Sequence, residues 1–212
     1  MCRLTNDSSK MENGKCTIGI TGGIGCGKSY VSDILRNEFG IPVYDCDKEA
    51  KRLTATSSNI RQQLIQLIGS NVFNGQELNK QVLADYLFNG PEQASKVNAI
   101  IHPAVQEDFK LWASRQQKPL VALESAILYE SGFDGLVDKV IFVDAPEDVR
   151  LKRAMLRDSA SEEQIRARMK MQRPELHRSQ ADFVVDNSSD DDTRLLVQLK
   201  EIAYCLLRNR MT

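Results

Sequence analysis

The chain has 212 residues, 42% of them hydrophobic and 27% charged, with a formal net charge of −1. That length accommodates one sizeable core with an inserted or appended lobe, and so near-neutral a balance carries no global basic field of the kind that nucleic acid or a membrane surface selects. Five cysteines (Cys2, Cys16, Cys26, Cys46, Cys205), odd in number and without a C-x-x-C pair, argue against a disulfide framework and a zinc site.

Residues Met1 to Gly14 are polar and lack the apolar run of a signal peptide, and no stretch approaches transmembrane length. A cytoplasmic protein is expected, with 1–14 an N-terminal tail whose first ten residues are a frayed extension if Met11 is the natural start. Cys16 to Ile20 reads as a short buried strand. Gly22-Gly23-Ile24-Gly25-Cys26-Gly27-Lys28-Ser29 then matches G-x-x-x-x-G-K-[ST] in full, and Ser29 to Phe39 carries Val31, Ile34 and Leu35 at helical spacing. A loop of this kind wraps phosphates with backbone N–H groups, and the helix N-terminus adds positive potential behind them. The motif predicts nucleoside triphosphate binding, with Lys28 at the β- and γ-phosphates and the Ser29 hydroxyl on Mg²⁺. An ordinary glycine-rich turn would not need every fixed position.

Gly40 suits a helix C-terminus, and Ile41 to Tyr44 predicts a second strand ending at Asp45-Cys46-Asp47. Carboxylates at a strand end lie at the rim where open α/β sheets bind ligands. Lys48 to Thr56 predicts a short helix, which one of the two aspartates would cap. From about 57 to 117 the periodicity is helical throughout, with a turn at Asn74-Gly75, a cap at Asn79, Pro91 opening a helix, and His102-Pro103 interrupting it before Ala104 to Arg115 resumes. No strand is expected there, so this reads as a helical lobe inserted in the core. Strands resume at Leu120 to Leu123, stopping at Glu124, at Val140 to Val143, and at Phe183 to Val185. A final helix runs from about Thr193 to Arg208. Alternating strands and helices imply a parallel sheet covered on both faces.

Between Arg150 and Arg178 lie Arg150, Lys152, Arg153, Arg157, Arg166, Arg168, Lys170, Arg173 and Arg178, nine of the 28 basic residues in 29 positions. Ser161 to Gln164 has capping-box spacing, so Arg157 to Ala160 is expected to be a loop between two basic helices. Such density favours a lid whose arginines meet phosphoryl oxygens on closure over two merely solvated faces. Arg153, Arg157 and Arg173 are the candidates.

No N-K-x-D element with its aspartate and no D-x-x-G occurs, which removes a guanine-specific switch; size, a helical insertion and a basic lid point instead to a small-molecule kinase. Phosphoryl transfer needs a group that orients or deprotonates the acceptor hydroxyl; Asp45 and Asp47 are the best placed carboxylates, with Glu124 for water or Mg²⁺ ordering. His102 reads as a packed or hydrogen-bonded histidine rather than a catalyst.

Ile20 to Ser29, Asp45-Cys46-Asp47, Ile101-His102-Pro103, Lys152-Arg153 to Arg157-Asp158, and Asp182 to Asn187 together resemble the dephospho-CoA kinases, in their order and spacing. The resemblance implies an α/β fold with a P-loop NTPase-type core of five parallel strands (about 15–56, 118–150 and 179–212), a helical substrate lobe (about 57–117) and a basic helical lid (about 151–178). It implies transfer of the ATP γ-phosphoryl group to the ribose 3′-hydroxyl of dephospho-CoA, with Asp47 as the base and Lys28 and Arg157 assisting. Gly23, Ile24, Gly25, Cys26, Gly27, Lys28, Ser29, Tyr30 and Arg153 would bind the nucleotide, and Asp45, Asp47, His102 and Glu124 the acceptor. ATP and Mg²⁺ are implied, with only small-molecule partners and a monomer or weak homo-oligomer. Cys26 stands where serine is common and Tyr30 where threonine is usual, and Leu123 to Glu130 departs from the family's proline-leucine-leucine pattern. A kinase for another small hydroxyl substrate, or an ATP-binding regulator without turnover, are the readings that remain beside it. Cys26, beside Lys28 and near a helix start, is weighed as a reactive thiolate against a tolerated small residue.

Overall fold

A computed structural model describes residues 15–172, 174–189 and 191–208. The tail over 1–14 and Arg173 fall outside the described residues. The chain divides into two units, one made of the residues up to Tyr44 and from Gln116 onward, the other of Asp45–Arg115.

In the first unit, β1 (Cys16–Thr21) is buried along nearly its whole length, as befits a strand with neighbours on both sides and helices on both faces. α1 (Lys28–Asn37) follows the glycine loop and buries Val31, Ile34 and Leu35. Gly40, at φ 62°, lets the Ile41 N–H return to the Leu35 carbonyl before β2 (Val43–Asp45). The second unit then supplies α2 (Cys46–Thr56), α3 (Ser58–Ile68), β3 (Phe73–Asn74), β4 (Glu77–Leu78), α4 (Lys80–Phe88) and α5 (Pro91–Arg115). Back in the first unit come β5 (Leu120–Glu124), β6 (Lys139–Asp144), α6 (Glu147–Asp158), α7 (Glu162–Lys170), α8 (Pro174–Gln180), β7 (Phe183–Asp186) and α9 (Asp192–Arg208).

The sheet runs β2-β5-β1-β6-β7, and the pairs β1–β5, β1–β6 and β6–β7 are parallel. Register sets Ile20 opposite both Glu124 and Ile141, so β1, β5 and β6 end near one edge. The chain leaves β1 toward β2 on one side and later passes from β5 to β6 on the other. That reversal opens a crevice at the strand carboxyl ends, beside β1, where the glycine loop begins. Beneath it Ile18, Ile20, Leu35, Ile141, Val143 and Leu199 form one buried cluster, each such side chain contributing about 1.5–3 kcal/mol on burial.

Several boundaries differ from the expected ones. The second unit opens at Asp45 rather than near residue 57, because α2 packs with α3 and α5, and Arg52 of α2 pairs with Asp108 of α5 at 2.7 Å. That unit also contains strands: β3 and β4 pair antiparallel across the Asn74-Gly75 turn, Phe73 opposite Leu78. Two-residue strands are too short to show a period of two. α5 is continuous through His102-Pro103. Proline removes one backbone bond, but Val97, Val105, Phe109 and Ala113 make a buried stripe that spans the interruption. α6 runs through Asp158, so the turn between the basic helices is shorter than Arg157 to Ala160. Ser159, at φ 49°, ends α6, and Ser161 and Gln164 form the expected capping box on α7.

Candidate active site

The loop after β1 is held in shape by residues distant in sequence. Gly25 and Gly27 take φ of 77° and 91°. A Cβ on Gly25 would run into the Arg150 main chain, and one on Gly27 into the Asn187 amide nitrogen, so both positions need glycine for conformation and for space. Asn187 is buried and central. Its Nδ2 donates to the Cys26 carbonyl at 2.8 Å and its N–H to the Asp144 carbonyl at 2.8 Å. Its own carbonyl accepts from Arg153 Nη1 at 2.7 Å. Loop, β6 and α6 are thereby tied at one point. The Asp186-Asn187 pair is visible in the sequence as a strand end and as part of one block of the family resemblance; its structural role depends on contacts that local patterning does not reveal.

Lys28 opens α1, and its ammonium donates to the Gly22 and Gly23 carbonyls at 3.0 and 3.3 Å. Ser29 Oγ donates to Glu124 Oε1 at 2.8 Å, and Glu124 is only 8% exposed. A hydroxyl and a carboxylate are hard oxygen donors, the set that Mg²⁺ takes. Among the described residues no group of three His, Cys, Asp or Glu side chains could hold a metal ion.

Ile24 packs on a small apolar cluster of the basic helices, made of Leu151, Ala154, Ile165 and Met169. Its N–H donates to Gln172 Oε1 at 2.8 Å. Gln172 was not among the sequence candidates, since a lone glutamine after a helix carries no signal. Tyr30 is half-exposed, donates its hydroxyl to Asp192, and lines a cleft of about 250 Å³ with Gly27, Arg153, Asn187 and Ser189.

Arg157 pairs with Asp158 at 2.7 and 3.1 Å, and Arg168 joins the same carboxylate at 2.6 Å. The Arg157 hydrogen bonds, then those of Arg168, hold the Asp158 carboxyl well below the usual carboxylate range. Cys26 is fully buried, and burial pushes its thiol pKa up; the neighbouring Lys28 opposes this without overcoming it. The reactive-thiolate reading is therefore corrected: desolvation outweighs the nearby cation.

In the second unit Asp45 is the N-cap of α2, accepting from the Lys48 N–H at 3.0 Å, and Asp47 is exposed in the first helical turn. Because the helix begins at Cys46, Asp45 precedes it as its cap while Asp47 lies inside its first turn. His102 is half-buried within α5, and burial lowers its pKa, favouring neutral imidazole. Among the described residues no helix is long and apolar enough to cross a membrane.

The family model described as dephospho-CoA kinase matches residues 16–192. A Bacteroides fragilis protein named dephospho-CoA kinase is 46% identical over 187 residues, covering 87% of this chain and 90% of its own. One of the same name from Porphyromonas gingivalis is 49% identical over 174 residues, covering 81% and 86%. A crystal structure from Thermus thermophilus superposes with a TM-score of 0.79 at 34% identity, covering 90% of this chain and 97% of that one.

Proposed function

The chain belongs to the dephospho-CoA kinase family, and we infer from that membership and from the phosphate loop that it transfers the γ-phosphoryl group of ATP to the ribose 3′-hydroxyl of dephospho-CoA, giving coenzyme A. The observation that carries this reading is the complete G-x-x-x-x-G-K-S loop, seated at the carboxyl end of β1 in the crevice where the sheet reverses.

Each residue's part follows from general phosphoryl-transfer chemistry. Backbone N–H groups over Gly23 to Ser29 would cradle the phosphates. The Lys28 ammonium, resting on two loop carbonyls, would exchange them for β- and γ-phosphate oxygens, stabilising charge as the terminal group departs. Ser29 and Glu124 would hold Mg²⁺, which supplies neutralisation of phosphate charge. Tyr30 and Arg153 would line the space for the rest of the nucleotide. Asp47, exposed and uncommitted to a cap, would take or orient the proton of the acceptor hydroxyl, while Asp45 spends its carboxylate on the start of α2. His102, like Asp45 and Asp47 in the second unit, would serve the acceptor, and Glu124 of the first unit would do so beside its part in holding Mg²⁺. Arg157 would leave Asp158 for phosphoryl oxygens as the α6–α8 segment closes. A cytoplasmic setting fits a metabolic kinase.

The test is direct. Purified chain with Mg·ATP and dephospho-CoA should yield coenzyme A with one ADP per product, and adenosine or other ribosides should be poor acceptors. Correctly folded protein giving no coenzyme A above background would defeat the reading.

A further inference from the structure

Arg150 lies in the first turns of α6 and runs along the glycine loop. Its main-chain carbonyl occupies the place a Cβ on Gly25 would take, and its Nη1 the place a Cβ on Gly23 would take. Its Nε is buried without a hydrogen-bond partner. The neighbouring basic residues are differently placed. Arg157 and Arg168 face Asp158, Arg166 faces Glu147 and Glu162, and Arg178 faces Asp144. A buried nitrogen of a cation left unpaired costs free energy in the folded chain. Some compensating group belongs there.

The same mouth of the loop already accommodates an oxygen. The Ile24 N–H donates to Gln172 Oε1 at 2.8 Å, and that oxygen lies 3.5 Å from the Gly23 Cβ position that also meets Arg150 Nη1. A guanidinium and a backbone amide thus flank a place where an acceptor oxygen sits. Guanidinium groups match phosphate oxygens in a fork, with charge-assisted hydrogen bonds.

We propose that Arg150 is a phosphate-binding residue of the nucleotide site, a second cation beside Lys28, and that Gln172 Oε1 holds the Ile24 amide until a phosphate oxygen replaces it. This rests on the reading of the loop as an ATP site. The substrate chemistry is a nucleoside polyphosphate, and the contribution of Arg150 goes to the phosphates alone.

The experiment is equilibrium binding of Mg·ATP and of adenosine to the full chain, wild type against Arg150→Gln and Arg150→Lys, with the Tm of each nucleotide-free protein. If wild type does not bind ATP, the ATP reading of the loop fails and this proposal with it; that result is distinct from any difference between variants. Arg150→Gln is expected to weaken ATP about tenfold or more, the scale of a hydrogen bond to a charged group, while leaving adenosine within about twofold. The Tm of the nucleotide-free variant should equal or exceed that of wild type, since a buried guanidinium nitrogen without a partner is gone. Arg150→Lys should recover part of the loss. ATP affinity within about twofold of wild type overturns the proposal, as does an equal loss for ATP and adenosine with a lowered Tm, which marks a structural role. If Arg150→Gln does not fold, Arg150→Lys decides: weakened ATP with unchanged adenosine supports the proposal, and parity with wild type overturns it.

Discussion

Ser29 Oγ donates to Glu124 Oε1 at 2.8 Å, joining the first turn of α1 to the residue at which β5 stops. The two are 95 positions apart, each a candidate in the sequence, but only the fold brings them together. Together they form a hard-donor pair at the foot of the phosphate loop. Ser29→Ala and Glu124→Gln are both expected to raise the Mg²⁺ concentration needed for half-maximal turnover by about tenfold or more. Titrating Mg²⁺ at saturating ATP checks this; curves that coincide with wild type would make the pair purely structural.

Lys28→Ala is expected to lower kcat by orders of magnitude with an unchanged fold, because the ammonium acts most where charge develops. Near wild-type kcat would show that the loop does not cradle the transferred phosphoryl group.

The two aspartates separate by measurement. Asp47→Asn is expected to reduce kcat by ~10²–10⁴, with ATP affinity largely kept. Asp45→Ala is expected to cost about 1 kcal/mol of stability through the lost cap, and Asp45→Asn very little, since asparagine caps as well. Denaturant unfolding and steady-state kinetics on the same three variants check both. An Asp45→Asn protein slower than Asp47→Asn would reverse the assignment.

Arg157 is 61% exposed and paired with Asp158 in the resting structure, so Arg157→Ala should depress turnover and leave the Tm within a few degrees. Asp158 supplies a pH readout. Its folded carboxyl lies below the unfolded value of about 3.9, so the pair's contribution is in place above that value and is lost as the pH falls toward the folded one. In Arg157→Ala the Asp158 titration followed by NMR should move upward, toward the ordinary range, and stop short of it because Arg168 remains. An unmoved titration would remove the ion pair from the account.

Cys26 should resist a small thiol reagent in the native protein at neutral pH, since its sulfur is buried and its pKa raised. Peptide mapping after brief alkylation, with and without denaturant, checks this. Modification of Cys26 in native protein at the denatured rate would contradict it, and Cys26→Ser is expected to retain activity.

What local pattern determined is what local physics controls. The glycine spacing with Lys28 and Ser29, the five apolar strand runs, the Ser161–Gln164 capping box and the buried stripe of α9 all act within one or two turns of chain, so they were legible in order. The carboxylate at the end of β2 was legible too, and the cap it makes was anticipated for one of the two aspartates. Tertiary structure decided the rest. Asn187 gains its role by bonding the Cys26 carbonyl, 161 positions away, and Gln172 by meeting the Ile24 amide, 148 positions away. Arg150 stood in the basic run undistinguished from its neighbours until folding laid it along the loop and buried its Nε. Cys26 shows the same limit from the other side: a nearby cation and a helix start are sequence-local and favour thiolate, whereas the desolvation that overrules them exists only once the core has closed over the sulfur.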